Sequence, residues 1–469
     1  MSFTDALFLY LFLPVCAACC CLAKTRYRNA VLIGFSLLFY AWGEPVYLWL
    51  LLFGVCMNYV LGRLISYSGE QLAAKLSLTL ALIMNVGLLF SFQYAGTLVE
   101  SINMLSGAAL PVPDPAMPLG LSFFTLRAVS YVMDCYRGRV CAEADFRKFL
   151  LYMILFPLAL QGPAVRYDTV QMQLHTRTVR TADFSAGICR IVVGLGKKVL
   201  LADQLAPVAD QFLFGSSPET QSALGTWYGA LLFSLRIYFD LSGYVDIALG
   251  LGRIFGFRFE ENFRHPFLSR SITGFWRNWH ISLNDFFRDY VLRASICGKG
   301  KALSGILLAA AAGGIWHGAG WGFVLWGVFC GAFVMLEQAL GEERLGKIPA
   351  VVGHLYSKLL AIICLGLLGA VRNGEPLVFL KNLFFLGEGG IADAAVGVSV
   401  QNNMLLIAAA VLCCFPLTER IKVRLQCCES QRTYAIVQTA GIVLTGAVLV
   451  LTSIFLGSEA SLPFFYVYK

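Results

Sequence analysis

The residue of this chain best suited to move a proton is His317. It lies in Gly313-Gly314-Ile315-Trp316-His317-Gly318-Ala319-Gly320-Trp321-Gly322, which runs on to Trp326-Gly327, and six glycines and three tryptophans frame it. Its other neighbours are apolar. An ionisable residue at membrane depth is expensive, and it faces a bundle interior or an aqueous path. An unperturbed imidazole titrates near neutrality, so it can accept a proton and return it. The competing role is a neutral, hydrogen-bonded histidine that joins two helices. The glycines let backbones approach and a helix bend.

A second histidine, His280, falls in Phe275-Trp276-Arg277-Asn278-Trp279-His280-Ile281-Ser282-Leu283-Asn284-Asp285-Phe286-Phe287-Arg288-Asp289-Tyr290. Helical spacing puts Trp276, His280 and Asn284 on one face and turns Arg277, Ile281 and Arg288 elsewhere. His280 would then point inward with Asn284 as its hydrogen-bond neighbour, in a structural or a chemical role. A third element, Tyr238-Phe239-Asp240-Leu241-Ser242-Gly243-Tyr244-Val245-Asp246, carries two carboxylates within or at the end of an apolar run. Asp240 and Tyr244 share a helix face. A carboxylate there needs a partner, and the arginine-rich segment that follows offers several. It would hold that segment by a salt bridge or line a substrate passage.

The elements that must position these residues are membrane helices. Of the 469 residues, 58% are hydrophobic and 14% charged, against about 25% charged in soluble domains. The mean hydropathy is +0.71. Apolar runs occur near 5–23, 29–42, 46–66, 75–97, 119–134, 148–161, 187–206, 224–250, 302–316, 320–340, 355–371, 402–418 and 434–457. A span needs roughly 20 residues, so 29–42, 119–134, 148–161 and 302–316 are short and suit re-entrant or broken helices. The expected fold is all-α, a polytopic bundle of about 11–13 membrane segments in a single domain. Residues 252–290 interrupt this pattern with interleaved charges and aromatic rings, as expected at the cytoplasmic interface.

Short basic loops mark the cytoplasmic side. Lys24, Arg26 and Arg28 are followed by the uncharged-to-acidic Gly43-Glu44-Pro45, then by Arg63 and Lys75. No Lys or Arg occurs from Leu76 to Leu126, and Arg127, Arg137, Arg139, Arg147 and Lys148 come next. The alternation predicts an extracytoplasmic N-terminus and a multi-pass plasma-membrane protein. The first apolar run lacks a basic leader and a small-residue cleavage site, so a retained first helix is expected. The net charge of +8 is topological, compatible with a basic vestibule for an anionic cytosolic substrate; no soluble basic domain for nucleic acid is visible. Of fifteen cysteines, Cys16, Cys19, Cys20, Cys21, Cys413 and Cys414 sit in apolar runs and Cys427 and Cys428 follow in a loop. They suit small apolar filler better than metal ligands. No zinc-binding pattern or phosphate-binding glycine loop is present, and Gly120-Leu121-Ser122-Phe123-Phe124 lacks the second glycine of a nucleophile elbow.

Several segments in one order resemble the membrane-bound O-acyltransferase family. They are Leu37-Leu38-Phe39-Tyr40-Ala41-Trp42-Gly43-Glu44-Pro45, Pro118 to Thr125, Ser130 to Gly138, Gly162-Pro163-Ala164-Val165-Arg166-Tyr167 and Gly196 to Asp203, with 238–290 and 314–327 the strongest. The likeness covers about residues 1–340, with its core at 118–340. It weakens over 341–469, although Pro463-Phe464-Phe465-Tyr466 is similar to the family's ending. It is greatest to the alginate O-acetylation branch and more distant to the D-alanyl-transferring protein of teichoic acid systems. Departures include Val291-Leu292-Arg293-Ala294-Ser295 in place of a Tyr-Ile-Pro-Leu-Gly-Gly run. Arg127 and Leu158 replace usual glutamines, and Leu368-Gly369-Ala370-Val371 precedes Arg372 without aromatic residues.

The resemblance implies a helical bundle with re-entrant segments and a central tunnel, with His317 and His280 as the catalytic pair. The donor would be a cytosolic acyl thioester, acetyl-CoA, with no permanently bound cofactor and no metal. His317 would act as general base on an acceptor hydroxyl, an effect worth about 10²–10⁴-fold. His280, with Asn284, would position or polarise the thioester, and Asp240 and Asp246 would organise the segment. The candidate substrate-contacting set is Trp316, Asn284, Trp276, Arg277, Asp240, Tyr244, Asp246, Arg288 and Asp289. The implied partners are membrane lipid, an extracytoplasmic SGNH-type acetyltransferase and, as final acceptor, an exopolysaccharide or cell-wall polymer. Two alternatives are transfer of D-alanine or another acyl group from a carrier protein, and a non-catalytic role in polysaccharide transport or assembly.

Overall fold

A computed structural model describes residues 2–215, 218–293, 302–426, 430–457 and 462–464. Among these residues every regular element is a helix. A π turn, Phe8–Phe12, leads into α1 (Leu13–Leu22), followed by α2 (Arg28–Gly43), α3 (Pro45–Tyr67), α4 (Gln71–Gln93) and α5 (Ala95–Ser106). Beyond a proline-containing loop come α6 (Leu121–Tyr136), α7 (Phe146–Ile154) and α8 (Tyr167–His175). Then α9 (Thr181–Leu195) passes through a π segment, Gly196–Ala202, into α10 (Asp203–Leu213). The long α11 (Ala223–Ile254) precedes the short α12 (Ile272–Asn278) and α13 (Ile281–Phe286), which ends in a π segment, Phe287–Leu292. The remainder is α14 (Ala302–His317), α15 (Trp321–Leu340), α16 (Glu342–Gly346), α17 (Ala350–Arg372), α18 (Pro376–Leu383), α19 (Ala394–Cys413), α20 (Leu417–Gln426) and α21 (Gln431–Gly457).

Six of these, α3, α4, α15, α17, α19 and α21, are long and apolar enough to cross a membrane. At 1.5 Å per residue, about 20 residues span the hydrocarbon core. The segments expected to be short are short. Residues 29–42 and 119–134 form α2 and α6, each 16 residues long, and α14 also has 16. The segment 148–161 is not one helix: α7 ends at Ile154 and a 3-10 turn, Phe156–Leu158, follows. Pro157 lacks the N–H that would continue the ladder. The expectations that concern Ala294, Ser295, Cys427, Cys428, Phe465 and Tyr466 lie outside the described residues.

The centre of the bundle is α11, 32 residues long and buried along most of its length. It carries Arg236, Asp240, Asp246 and Arg253, which suit a protein-packed position better than a lipid-facing one. Its backbone touches that of α9. A Cβ on Gly194 would lie 2.5 Å from the Gly243 carbonyl oxygen, and one on Gly250 would lie 2.6 Å from that of Gly187. Only glycine allows that approach.

The approach also brings charges together. Arg190 donates to Asp246 at 2.7 Å and to Glu261 at 2.5 Å, and Lys197 reaches Asp246 at 2.7 Å. Lys198 lies 2.6 Å from Asp240 and 2.8 Å from Asp203. The carboxylates of α11 therefore pair with α9 and its π continuation, which precede them. The following segment is still held, because Arg190 bridges Asp246 to Glu261. By contrast, only 6% of the spanning window of α19, and of α21, is buried within the protein, as suits helices whose apolar flanks meet lipid.

Candidate active site

The two histidines come from elements built in different ways. His317 is the last residue of α14, near the negative end of the helix dipole, where a developing positive charge is stabilised. Two of the helix's free carbonyls are taken up from α4 and the residue after it. Gln93 Nε2 donates to the Trp316 oxygen at 3.3 Å, and the Tyr94 hydroxyl donates to the Ile315 oxygen. The return helix α15 lies against α14 without clearance: a Cβ on Gly314 would lie 2.2 Å from the Phe323 oxygen, and one on Gly327 2.3 Å from the Ala310 oxygen. The glycines around His317 therefore serve helix contact. The Trp326 ring meets the His317 ring edge-on at 5.1 Å, and its Nε1 donates to the Cys364 oxygen at 2.7 Å, so α17 fixes that wall.

His280 is not on a helix. The chain breaks between α12 and α13, and His280 occupies the left-handed region with φ 46° and ψ 52°. The expected continuous face of Trp276, His280 and Asn284 is thereby corrected. Two backbone bonds hold the break: Arg264 N donates to Asn278 O at 3.0 Å and Ile281 N to Asn262 O at 2.9 Å. Non-glycine residues adopt this conformation rarely, and persist there where surroundings over-determine it. The Asn284 side chain does not bond to the His280 ring, although the Asn284 backbone N–H donates to the His280 carbonyl oxygen at 3.1 Å. Its Nδ2 donates to the carbonyls of Trp276 and Trp279 at 2.7 and 2.6 Å, tying the two short helices together. The hydrogen-bond neighbour of His280 is Asn262, whose Nδ2 lies 3.3 Å from Nδ1.

Both imidazoles line one cavity of about 510 Å³. Trp276, Arg277, Asn284 and Arg288 line it too, and Ile306, Cys330, Val334, Leu365 and Leu368 supply an apolar side. Ile281 also faces it, so the predicted turning-away of Arg277, Ile281 and Arg288 does not hold. Arg277 and Arg288 are exposed; Arg288 is paired with Asp285 at 2.6 Å and with Asp289 at 3.1 Å, which leaves Arg277 as the better placed of the two to meet an anionic ligand. Trp316 does not line the cavity; its ring stands edge-on to His280 at 6.3 Å and to His317 at 5.0 Å, and packs on Phe123.

Four further candidates lie elsewhere. Asp240 and Asp246 are spent on the α9–α11 pairs described above. Tyr244 is fully buried against Phe3 and Phe464, at 5.0 Å from each. Asp289 accepts from Arg166 at 2.7 Å and pairs with Arg288 at 3.1 Å. Burial raises the Asp289 pKa, but the hydrogen bonds from Arg288 and Arg166 prevail and hold it below the usual carboxylate range. It orients Arg288 and does not itself face the cavity.

Burial also pushes the His280 imidazole down to about 4, against a smaller opposite influence of its own backbone carbonyl. It is therefore neutral at physiological pH. The half-buried His317, at a helix C-terminus, is better placed to take up a proton. Two contributors escape sequence inspection. Asn262 is 18 residues from His280, and no local period links them. Glu337, near the end of α15, accepts from Ile272 N and Thr273 N at 2.8 Å each, capping α12.

The profile described as MBOAT, membrane-bound O-acyltransferase family, matches residues 47–342. A probable alginate O-acetylase of Azotobacter vinelandii is 34% identical over 89% of this chain and 85% of its own length. One from Pseudomonas aeruginosa is 36% identical over 89% and 82%. A peptidoglycan O-acetyltransferase of Helicobacter pylori is 31% identical over 72% and 71%.

Proposed function

The chain belongs to the membrane-bound O-acyltransferase family, and from that membership we propose that it moves an acetyl group from cytosolic acetyl-CoA to an extracytoplasmic partner of SGNH type. The partner then O-acetylates an exopolysaccharide or cell-wall polymer. The protein is a multi-pass O-acyltransferase of the plasma membrane, with its N-terminus outside. The observation that carries this reading is the single cavity lined by His280, His317, Arg277 and Arg288. Arg277 suits the anionic phosphates of the donor. The relatives named for acetyl transfer to alginate and to peptidoglycan support the acyl group and the acceptor class.

His317 removes the proton from the acceptor hydroxyl, whose oxygen attacks the thioester carbonyl carbon. His280 donates a hydrogen bond to the carbonyl oxygen as charge collects there. The carbon–sulfur bond then breaks, and the thiolate takes the proton back from His317. No proton, electron or co-reactant is left over.

The test is His317→Ala in cells that acetylate the polymer. Polymer acetylation falls at least about 10²-fold, as expected for loss of a general base, while membrane abundance is unchanged. Undiminished acetylation would overturn the mechanism. Loss of polymer export along with acetylation would favour transport instead, and activity only with a carrier-bound D-alanyl donor would reassign the acyl group.

A further inference from the structure

Asn262 is 1% exposed and makes three bonds with the turn that carries His280. Its backbone oxygen accepts from Ile281 N at 2.9 Å. Its side-chain Oδ1 accepts from Ser282 N at 2.8 Å. Its Nδ2 faces His280 Nδ1 at 3.3 Å. The middle contact settles which way the amide points. A backbone N–H can only donate, so the atom facing Ser282 must be the oxygen. The atom facing His280 is then the NH2 group, which can only donate.

A donor at Nδ1 requires Nδ1 to accept. A neutral imidazole that accepts at one ring nitrogen carries its proton on the other. Nε2 has no hydrogen-bond partner among the described residues, and it is absent from the sealed, unpartnered polar atoms of the interior. His280 lines the cavity, so Nε2 is the nitrogen that opens on it.

We propose that Asn262 is a positioning residue that locks His280 as its Nε2–H tautomer and so keeps a neutral hydrogen-bond donor facing the acyl-transfer cavity. This rests on the acyl-transfer reading of that cavity and adds to it the form in which His280 acts. The left-handed backbone at His280 accompanies this contact. Phe123 and Phe263 pack around the imidazole, with ring centroids 6.3 and 5.9 Å away.

The chain has five histidines, so histidine-selective ¹⁵N labelling of the detergent-solubilised full chain gives few signals. The pair missing from His280→Gln identifies His280. At pH 7 the wild type is expected to show Nδ1 unprotonated and Nε2 protonated. Asn262→Asp keeps the shape and the acceptor for Ser282 N but replaces the donor by an acceptor. It is expected to move the proton onto Nδ1 and to lower kcat for acetyl transfer about tenfold or more, with little change in donor KM. That is at or below the 10²–10³ cost of losing a whole oxyanion donor. In a His280→Gln background, which has no tautomer to set, Asn262→Asp is expected to cost nothing further.

A wild-type His280 protonated on Nδ1, or charged at pH 7, overturns the proposal without any variant having to fold. So does an Asn262→Asp penalty that persists undiminished beside His280→Gln, because Asn262 would then be a structural brace. Activity retained in His317→Ala would instead sink the acyl-transfer mechanism, and the wild-type tautomer would still be read independently.

Discussion

At the scale of single residues, the two histidines are distinguished by what surrounds them. His280 is packed by aromatic rings and one amide with one edge on the cavity, and burial holds it neutral down to about pH 4. In the unfolded chain it titrates near 6.5. Above that value both states are neutral and His280 contributes no pH dependence. As pH falls from 6.5 toward 4, the unfolded chain takes up a proton that the folded protein refuses, so stability falls. The shift corresponds to a loss of roughly 3 kcal/mol across that window. Thermal midpoints in detergent between pH 7.5 and 4.5 are expected to fall less steeply for His280→Gln than for wild type. Equal slopes would show that His280 does not stay neutral in the fold. Both histidines were visible in the sequence, because an ionisable residue amid rings and glycines is conspicuous. Asn262 was not, since its role exists only where residues 262–264 run beside 278–281.

At the scale of elements, the site depends on small helices being held by larger ones. α12 has seven residues, too few to be stable alone. Glu337 on α15 accepts its first two free N–H groups, and Ser271 Oγ accepts from Gly274 N at 3.0 Å. A carboxylate at a helix N-terminus also meets the positive end of its dipole. Because α15 starts beside His317 and carries Glu337 near its other end, one rigid helix sets the spacing between the base and the segment bearing Trp276 and Arg277. Glu337→Ala leaves one buried and one half-buried donor unsatisfied, a cost of about 1–3 kcal/mol. Its thermal midpoint is expected to fall by several degrees and its donor KM to rise, with kcat changed less. A variant with wild-type midpoint and KM would remove the clamp. Neither effect is written in local sequence, since Glu337 is 65 positions from Ile272.

At the scale of the whole molecule, charge is distributed by end. Arg137, Arg139, Arg166, Arg288 and Arg293 gather around Asp134 and Asp289, while the loop between α5 and α6 carries no basic residue. Short basic loops stay in the cytoplasm. An alkaline phosphatase reporter fused after Gly107 is therefore expected to be active, and one fused after Arg139 inactive. The reverse pattern would put the arginine-lined cavity on the side without acetyl-CoA and exclude it as the donor.

The membrane-helical class, the basic and non-basic loops and the two histidines are legible in the order of residues alone. These follow from composition and from residue types that are costly in an apolar setting, which leave a local mark. Which polar groups meet is set by the packing of the fold. It paired Asp240 and Asp246 with α9, turned His280 out of its expected helix, exchanged Asn284 for Asn262 as its partner and removed Tyr244 from the cavity. Those outcomes depend on contacts between segments far apart in the chain, where glycine-lined helices touch and short segments are clamped. Helical periodicity carries no information about them.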